Sequence, residues 1–213
     1  MLEDISGEQI KNQFKTNKKL RLITIAVGGI VVIGLGYFAY RQFIYGPANE
    51  KSMDNYWVGL NYATADSTDI AIEELRSHAK KYDGKIGGEV AQFVYARQLM
   101  SSGEFKKAIE ELAGVDVSDT YVSVMATGLQ ADCYSELKEY DKAATMYLEA
   151  ADMSENEMTT PMYLMKAGLC AEEIKNFPIA QECYERIRDN YSSYASQKTI
   201  EKYIARAKNK KTK

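Results

Sequence analysis

Three aromatic residues, Phe105, Tyr140 and Phe177, each open an amphipathic stretch, and they lie 35 and 37 residues apart. A recurrence of that period leaves a chain few options: each unit is short and helical, and its apolar face has to be covered by its neighbours. The residues around the aromatics repeat as well. In the central unit, Ala131, Tyr134, Tyr140, Ala143, Tyr147 and Ala150 fall at the spacing of two helices that face each other. Upstream, Ala96, Leu99, Gly103, Phe105, Ala108 and Leu112 take equivalent places; downstream, Gly168, Ala171, Ile174, Phe177, Ala180 and Tyr184 do. The logic is steric, with small residues where antiparallel helices approach (Ala131 against Ala143), aromatics where the gap widens, and a polar Lys138-Glu139 turn between. Pro178 follows Phe177 directly, which suits the first turn of a helix and not its interior.

This unit resembles the tetratricopeptide repeat, whose period is about 34 residues. The resemblance implies an all-α fold in which three such repeats and a C-terminal capping helix, Tyr191 to Ala205, occupy residues 87–213 as an α-solenoid. An atypical helix pair is expected over residues 48–86. Its first helix carries Met53, Tyr56, Trp57 and Leu60 on one face. After a turn at Asp66 to Asp69, Ile70, Ile72, Leu75, His78 and Ala79 form the second face, closing at Asp83-Gly84. Gly87-Gly88 then leads into the first full repeat.

The N-terminal part obeys a different rule. Leu22 to Tyr40 is a run of 19 residues without a charge, and as a helix it would span roughly 28 Å, the thickness of a hydrocarbon core. We read residues 22–41 as a transmembrane signal-anchor helix and residues 1–21 as a short cytoplasmic segment, with Ile5, Ile10 and Phe14 on one weakly apolar face. A cleaved secretory signal would carry a shorter apolar region and a small-x-small site. Here Tyr37, Phe38, Tyr40, Phe43 and Tyr45 follow instead, in the manner of an interfacial aromatic belt. No cysteine lies just after the run, which counts against a lipoprotein anchor, and the chain is too small to bury such a helix in a core. Lys11, Lys15, Lys18, Lys19 and Arg21 precede the span, whereas Arg41 and Lys51 follow it. The positive-inside rule then places the N-terminus in the cytoplasm and the rest across the membrane, which in a bacterium is the periplasm. Within the span, Gly29 and Gly36 share a face suited to docking another membrane helix; the general frequency of glycine in such spans is the competing account. Gly46-Pro47 is expected to end or kink the helix.

Charge divides along the same line. Residues 1–41 carry a net charge of +3 and the remainder −6, and an acidic outer part argues against a nucleic-acid partner. Its basic cluster, Lys202, Arg206, Lys208, Lys210, Lys211 and Lys213, reads as the solvated end of the last helix, with lipid head groups as the alternative. Cys133, Cys170 and Cys183 are an odd set inside helical stretches and read as small core residues; a Cys170–Cys183 bridge stays open on spacing. His78 has no second histidine near it and reads as a core residue rather than a ligand. Glu110-Glu111 and Glu172-Glu173 are adjacent on a helix and diverge, so neither makes an acid/base pair. No phosphate loop, nucleophile elbow or redox dithiol occurs. The expectation is a non-enzymatic protein without cofactor or metal.

On the tetratricopeptide pattern, the first helix of each pair lines a concave wall. That puts Phe93, Arg97 and Met100 there, then Asp132 and Ser135, then Met162, Met165, Leu169 and Glu172. Thioether side chains adapt to varied partners, although some of these residues would instead pack under the terminal helix. The chain from about Lys18 onward also looks like the YfgM-like family of membrane-anchored tetratricopeptide proteins. The likeness rests on the basic-flanked anchor, Gly87-Gly88 before Val90-Ala91-Gln92-Phe93, Gly103-Glu104-Phe105-Lys106-Lys107-Ala108-Ile109, Gly128-Leu129-Gln130-Ala131-Asp132-Cys133, and Ile200-Glu201-Lys202-Tyr203-Ile204. What the resemblance implies is an accessory subunit of the Sec translocon that meets emerging polypeptides or periplasmic chaperones. A scaffold of another envelope machine, for division or outer-membrane assembly, would share the fold, and an enzyme with an unrecognised site is the other class.

Overall fold

The computed structural model describes residues 14–211 apart from 66, 67 and 118, and all regular structure among them is helical. Ile5, Ile10, Lys11, Asp66 and Lys213, which figure in the sequence reading, lie outside the described residues. The chain divides into two compact units, residues 1–50 and 51–213.

In the first unit, α1 (Lys18–Tyr40) begins where Asn17 Oδ1 accepts the Lys19 and Leu20 N–H groups, both at 3.1 Å. Its 23 residues span about 35 Å, and it is long and apolar enough to cross a membrane. None of its residues is buried. Of the two outcomes expected at Gly46-Pro47, an end of the helix is not the one found. A π-helical turn, Arg41–Tyr45, continues it into α2 (Gly46–Asn55). There the Gly46 N–H reaches back five residues to the Arg41 carbonyl, and this wider turn precedes Pro47, which has no N–H for the regular ladder.

The second unit continues with α3 (Trp57–Thr64), α4 (Thr68–Lys81), α5 (Ile86–Ser101), α6 (Phe105–Ala113), α7 (Thr120–Glu136), α8 (Tyr140–Met153), α9 (Thr159–Glu173), α10 (Phe177–Asn190), α11 (Ser192–Lys198) and α12 (Ile200–Lys211). From α3 to α11 each helix packs on the next in the chain, and α12 packs on α10 and α11. Each of these helices thus finds apolar cover on its neighbours in the chain.

Three helix pairs turn by one backbone device. Gly103, Lys138 and Lys175 have left-handed φ of 77°, 62° and 61°. Each donates its N–H to the carbonyl three residues back (Met100, Ser135, Glu172), and the following residue donates to the carbonyl five back (Leu99, Tyr134, Ala171) at 2.8–2.9 Å. This is the Schellman closure of a helix C-terminus. The same backbone is made by glycine once and by lysine twice. Pro178 lies in the first turn of α10, where Asn176 Oδ1 accepts the Ile179 N–H.

The first helix of each pair is covered on both sides. One face of α7 supplies Val124 and Ala131 to the core shared with α8 to α12, and the other supplies Ala126 and Cys133 to the core shared with α4 to α6. Ala131, Ala143 and Ala150 are fully buried beside Tyr147, as the steric pattern requires. Ile174, expected in the seam, is exposed because it caps α9. Gly128 gives Tyr163 its place: a Cβ there would overlap the Tyr163 ring, which stacks on Tyr147 with centroids 6.2 Å apart.

At the start of this unit, Ser52 is buried, and its Oγ accepts the Gly87 N–H at 3.1 Å. His78 Nε2 lies 2.9 Å from the Ser52 carbonyl, and the imidazole packs on Tyr82. Burial holds the imidazole pKa below its usual value, against the Ser52 carbonyl that raises it. The lone histidine thus pins α4 to α2. All three cysteines are free and buried.

Candidate binding surface

Asp132 is the centre of a polar site of the second unit that opens on a cleft. It lies in the fourth turn of α7, between a tyrosine on α8 and a lysine on α9. Asp132 Oδ1 accepts both the Tyr147 hydroxyl and the Lys166 ammonium, the latter at 2.6 Å. The same ammonium sits 5.4 Å from the Tyr147 ring centroid. Burial, then the hydrogen bond to Asp132, pushes the Tyr147 pKa up, so the phenol is a fixed donor at any physiological pH. Oδ2 takes neither of these bonds. Asp132 and Lys166 also line an open cleft of about 540 Å³ with Met100, Ser101, Phe105, Ser135 and Glu136.

The same three parts recur one unit later, but closed. Glu172 on α9 accepts the Tyr184 hydroxyl of α10 at 3.0 Å and Arg206 of α12 at 2.7 Å, and Lys210 approaches to 3.9 Å. The Glu172 side chain is left 9% exposed. In both nodes the cation stands 34 residues after the carboxylate, and Asp152–Arg186 joins α8 to α10 at the same interval. Helix α12 thus supplies to Glu172 the cation that α9 supplies to Asp132.

The expected wall residues divide accordingly. Met100, Asp132 and Ser135 meet in the cleft described. Arg97 is exposed on α5, and Leu169 is 39% exposed on α9, but neither lines it. Met162 is half-buried in a different cleft, beside Met158, Tyr194 and Lys198. Phe93 and Met165 are each only 8% exposed and belong to the two cores, so they offer little surface to a partner: first helices are covered from both sides. Glu172 is engaged by Arg206. Tyr147, Phe105 and Lys166 are not among the expected wall residues; the 34-residue interval from Asp132 is a signal that could have found Lys166.

Other sequence features are accounted for inside the fold. In the tail, Arg206 and Lys208 pair with Glu172 and Glu185, the latter at 3.0 Å, and both remain exposed on α12 with Lys202 and Lys210. The thiol pKa values rise through burial, that of Cys133 to about 11 and that of Cys183 to about 12. Among the described residues no group of three His, Cys, Asp or Glu side chains converges as a metal site. In α1, the positions where Gly29 and Gly36 would carry a Cβ have no neighbour within 4 Å. No protein-family model matches the chain, and no curated protein matches its sequence.

Proposed function

We propose that this protein is a non-enzymatic, membrane-anchored scaffold of tetratricopeptide type whose Asp132 cleft holds an extended polypeptide segment. The observation that carries the reading is the contrast between the two nodes. At Glu172 the protein's own α12 supplies the cation and covers the site. At Asp132 one carboxylate oxygen is bound internally, the other stays available, and Ser135, Glu136 and Met100 lie open beside it. Such a mixture of acceptors and adaptable apolar side chains suits backbone N–H groups and basic or apolar side chains of an unfolded segment. The identical turns after α5, α7 and α9 and the 34-residue ion pairs support the repeat type.

In this proposal α1 is a single-pass anchor in a bacterial inner membrane, with the N-terminus cytoplasmic and the second unit periplasmic, supported by the lysines and arginine before Leu22. The partners are translocon subunits, exported polypeptides or periplasmic chaperones, and the role is that of an accessory Sec subunit; nucleic acid is not a partner. Photo-cross-linking in intact cells from a reactive residue at Ser135, with Glu149 on the outer face of α8 as control, tests it. Capture of translocon subunits or many exported chains from Ser135 alone is expected. Capture of one dedicated envelope protein would move the role to another assembly, and stronger capture from Glu149 would place the working face elsewhere.

A further inference from the structure

The end of the apolar helix carries a second, smaller site. Tyr37, Tyr40, Arg41 and Tyr45 line a cleft of about 320 Å³. Its shape comes from the π-helical turn. In a regular α-helix residues five apart point in widely different directions, but the wider turn Arg41–Tyr45 rotates Tyr45 back toward Tyr40. Their ring centroids are 6.5 Å apart, and the Arg41 guanidinium lies 5.4 Å from the centre of the Tyr45 ring. Among the described residues no carboxylate pairs with Arg41. A cation is thus held over an aromatic face, with its charge uncompensated, where a spanning α1 would reach the head groups.

We propose that this cleft binds the phosphodiester of an anionic glycerophospholipid: the guanidinium takes the phosphate oxygens in its planar fork, and the tyrosine rings flank the glycerol region. The proposal rests on α1 being an anchor. It gives the π-turn a purpose, since such turns recur where a helix builds a site. The occupant is a lipid and not a free anion, because the cleft adjoins the apolar surface of α1, where Leu35 and Phe38 are exposed.

Native mass spectrometry of the full-length protein, released from micelles doped with phosphatidylglycerol, reads the retained lipid directly. Wild type is expected to retain a lipid that Arg41→Gln weakens roughly tenfold or more, as loss of a charge-assisted bond implies. Tyr45→Leu is expected to weaken it too, and Arg21→Gln, at the other end of the span, to leave it unchanged. Unchanged retention in Arg41→Gln, or equal loss in Arg21→Gln, overturns the proposal, as does displacement of the lipid by millimolar inorganic phosphate. Alkaline carbonate extraction separates the two ideas: wild type leaving the membrane sinks the anchor, whereas a membrane-retained wild type without a specific lipid sinks only the cleft.

Discussion

Replacing Lys138 by glycine should stabilise the protein, although it removes an exposed charged side chain. Lys138 holds a φ of 62°, a conformation that costs an L-residue roughly 1–2 kcal/mol. Glycine lacks that cost but gains about 0.5–1 kcal/mol of freedom in the unfolded chain. The net is about 0.5–1 kcal/mol in favour of Lys138→Gly, with the Schellman bonds to Ser135 and Tyr134 unchanged. With a urea dependence of about 2 kcal/mol per molar, the midpoint should rise by about 0.3–0.5 M, followed by helix circular dichroism of the full-length protein in mild detergent. Lys175→Gly should act equally, and the pair nearly additively, because the two turns share no partner. Lys138→Ala keeps the left-handed penalty and is the control that should not gain. Were Lys138→Gly to lower the midpoint while Lys138→Ala left it unchanged, the αL penalty would not govern this turn.

Gly128→Ala should destabilise by about 1–2 kcal/mol despite its better helix propensity, because the new Cβ displaces the Tyr163 ring and, through it, Tyr147; near-neutral thermal denaturation would mean the stack relaxes freely. Arg206→Ala leaves the mostly buried Glu172 with only part of its partners and should cost about 2 kcal/mol. Amide exchange should then accelerate first in α12, and adding Glu172→Gln should recover part of the loss; uniform acceleration would refute the local account. Alkaline pH should weaken the fold in a defined window. The unfolded chain releases the Cys183 proton above the ordinary thiol pKa of 9.0, whereas the native thiol keeps it to about 12. Stability is therefore full below 9.0 and falls as pH rises through that interval, by about 1.4 kcal/mol at pH 10 from this group. Cys183→Ala should flatten the pH dependence, and an unchanged slope would count against it.

The helix pairs were legible because period and turn are local properties: Phe105, Tyr140 and Phe177 mark the second helices, and alanines mark the close approaches. The left-handed turns were legible only at Gly103. Lysine carries no such signal, and its role at positions 138 and 175 emerges by alignment with that glycine. The wall was harder to read, because exposure on a first helix depends on how closely the next one approaches. Tyr163 comes in over Gly128 in the core that buries Met165, and Phe93 is buried in the other core, which periodicity alone cannot distinguish from an open face. Lys166 was knowable from its 34-residue distance to Asp132, a charge correlation that an apolar template does not score. Gly46-Pro47 marked the place of an irregularity but not its form, because the chain widens a turn there instead of breaking the helix.

Arg206 of α12 meets Glu172 as Lys166 of α9 meets Asp132. Helix α12 therefore meets α9 through the same kind of contact that α9 makes with α7, and a helix pair inserted ahead of it at that spacing would find a carboxylate or a cation to meet on each side. Growth or loss by complete units, with α12 carried along unchanged, is then the easiest way for such a protein to change its reach. Insertions of any other length would have to break a junction.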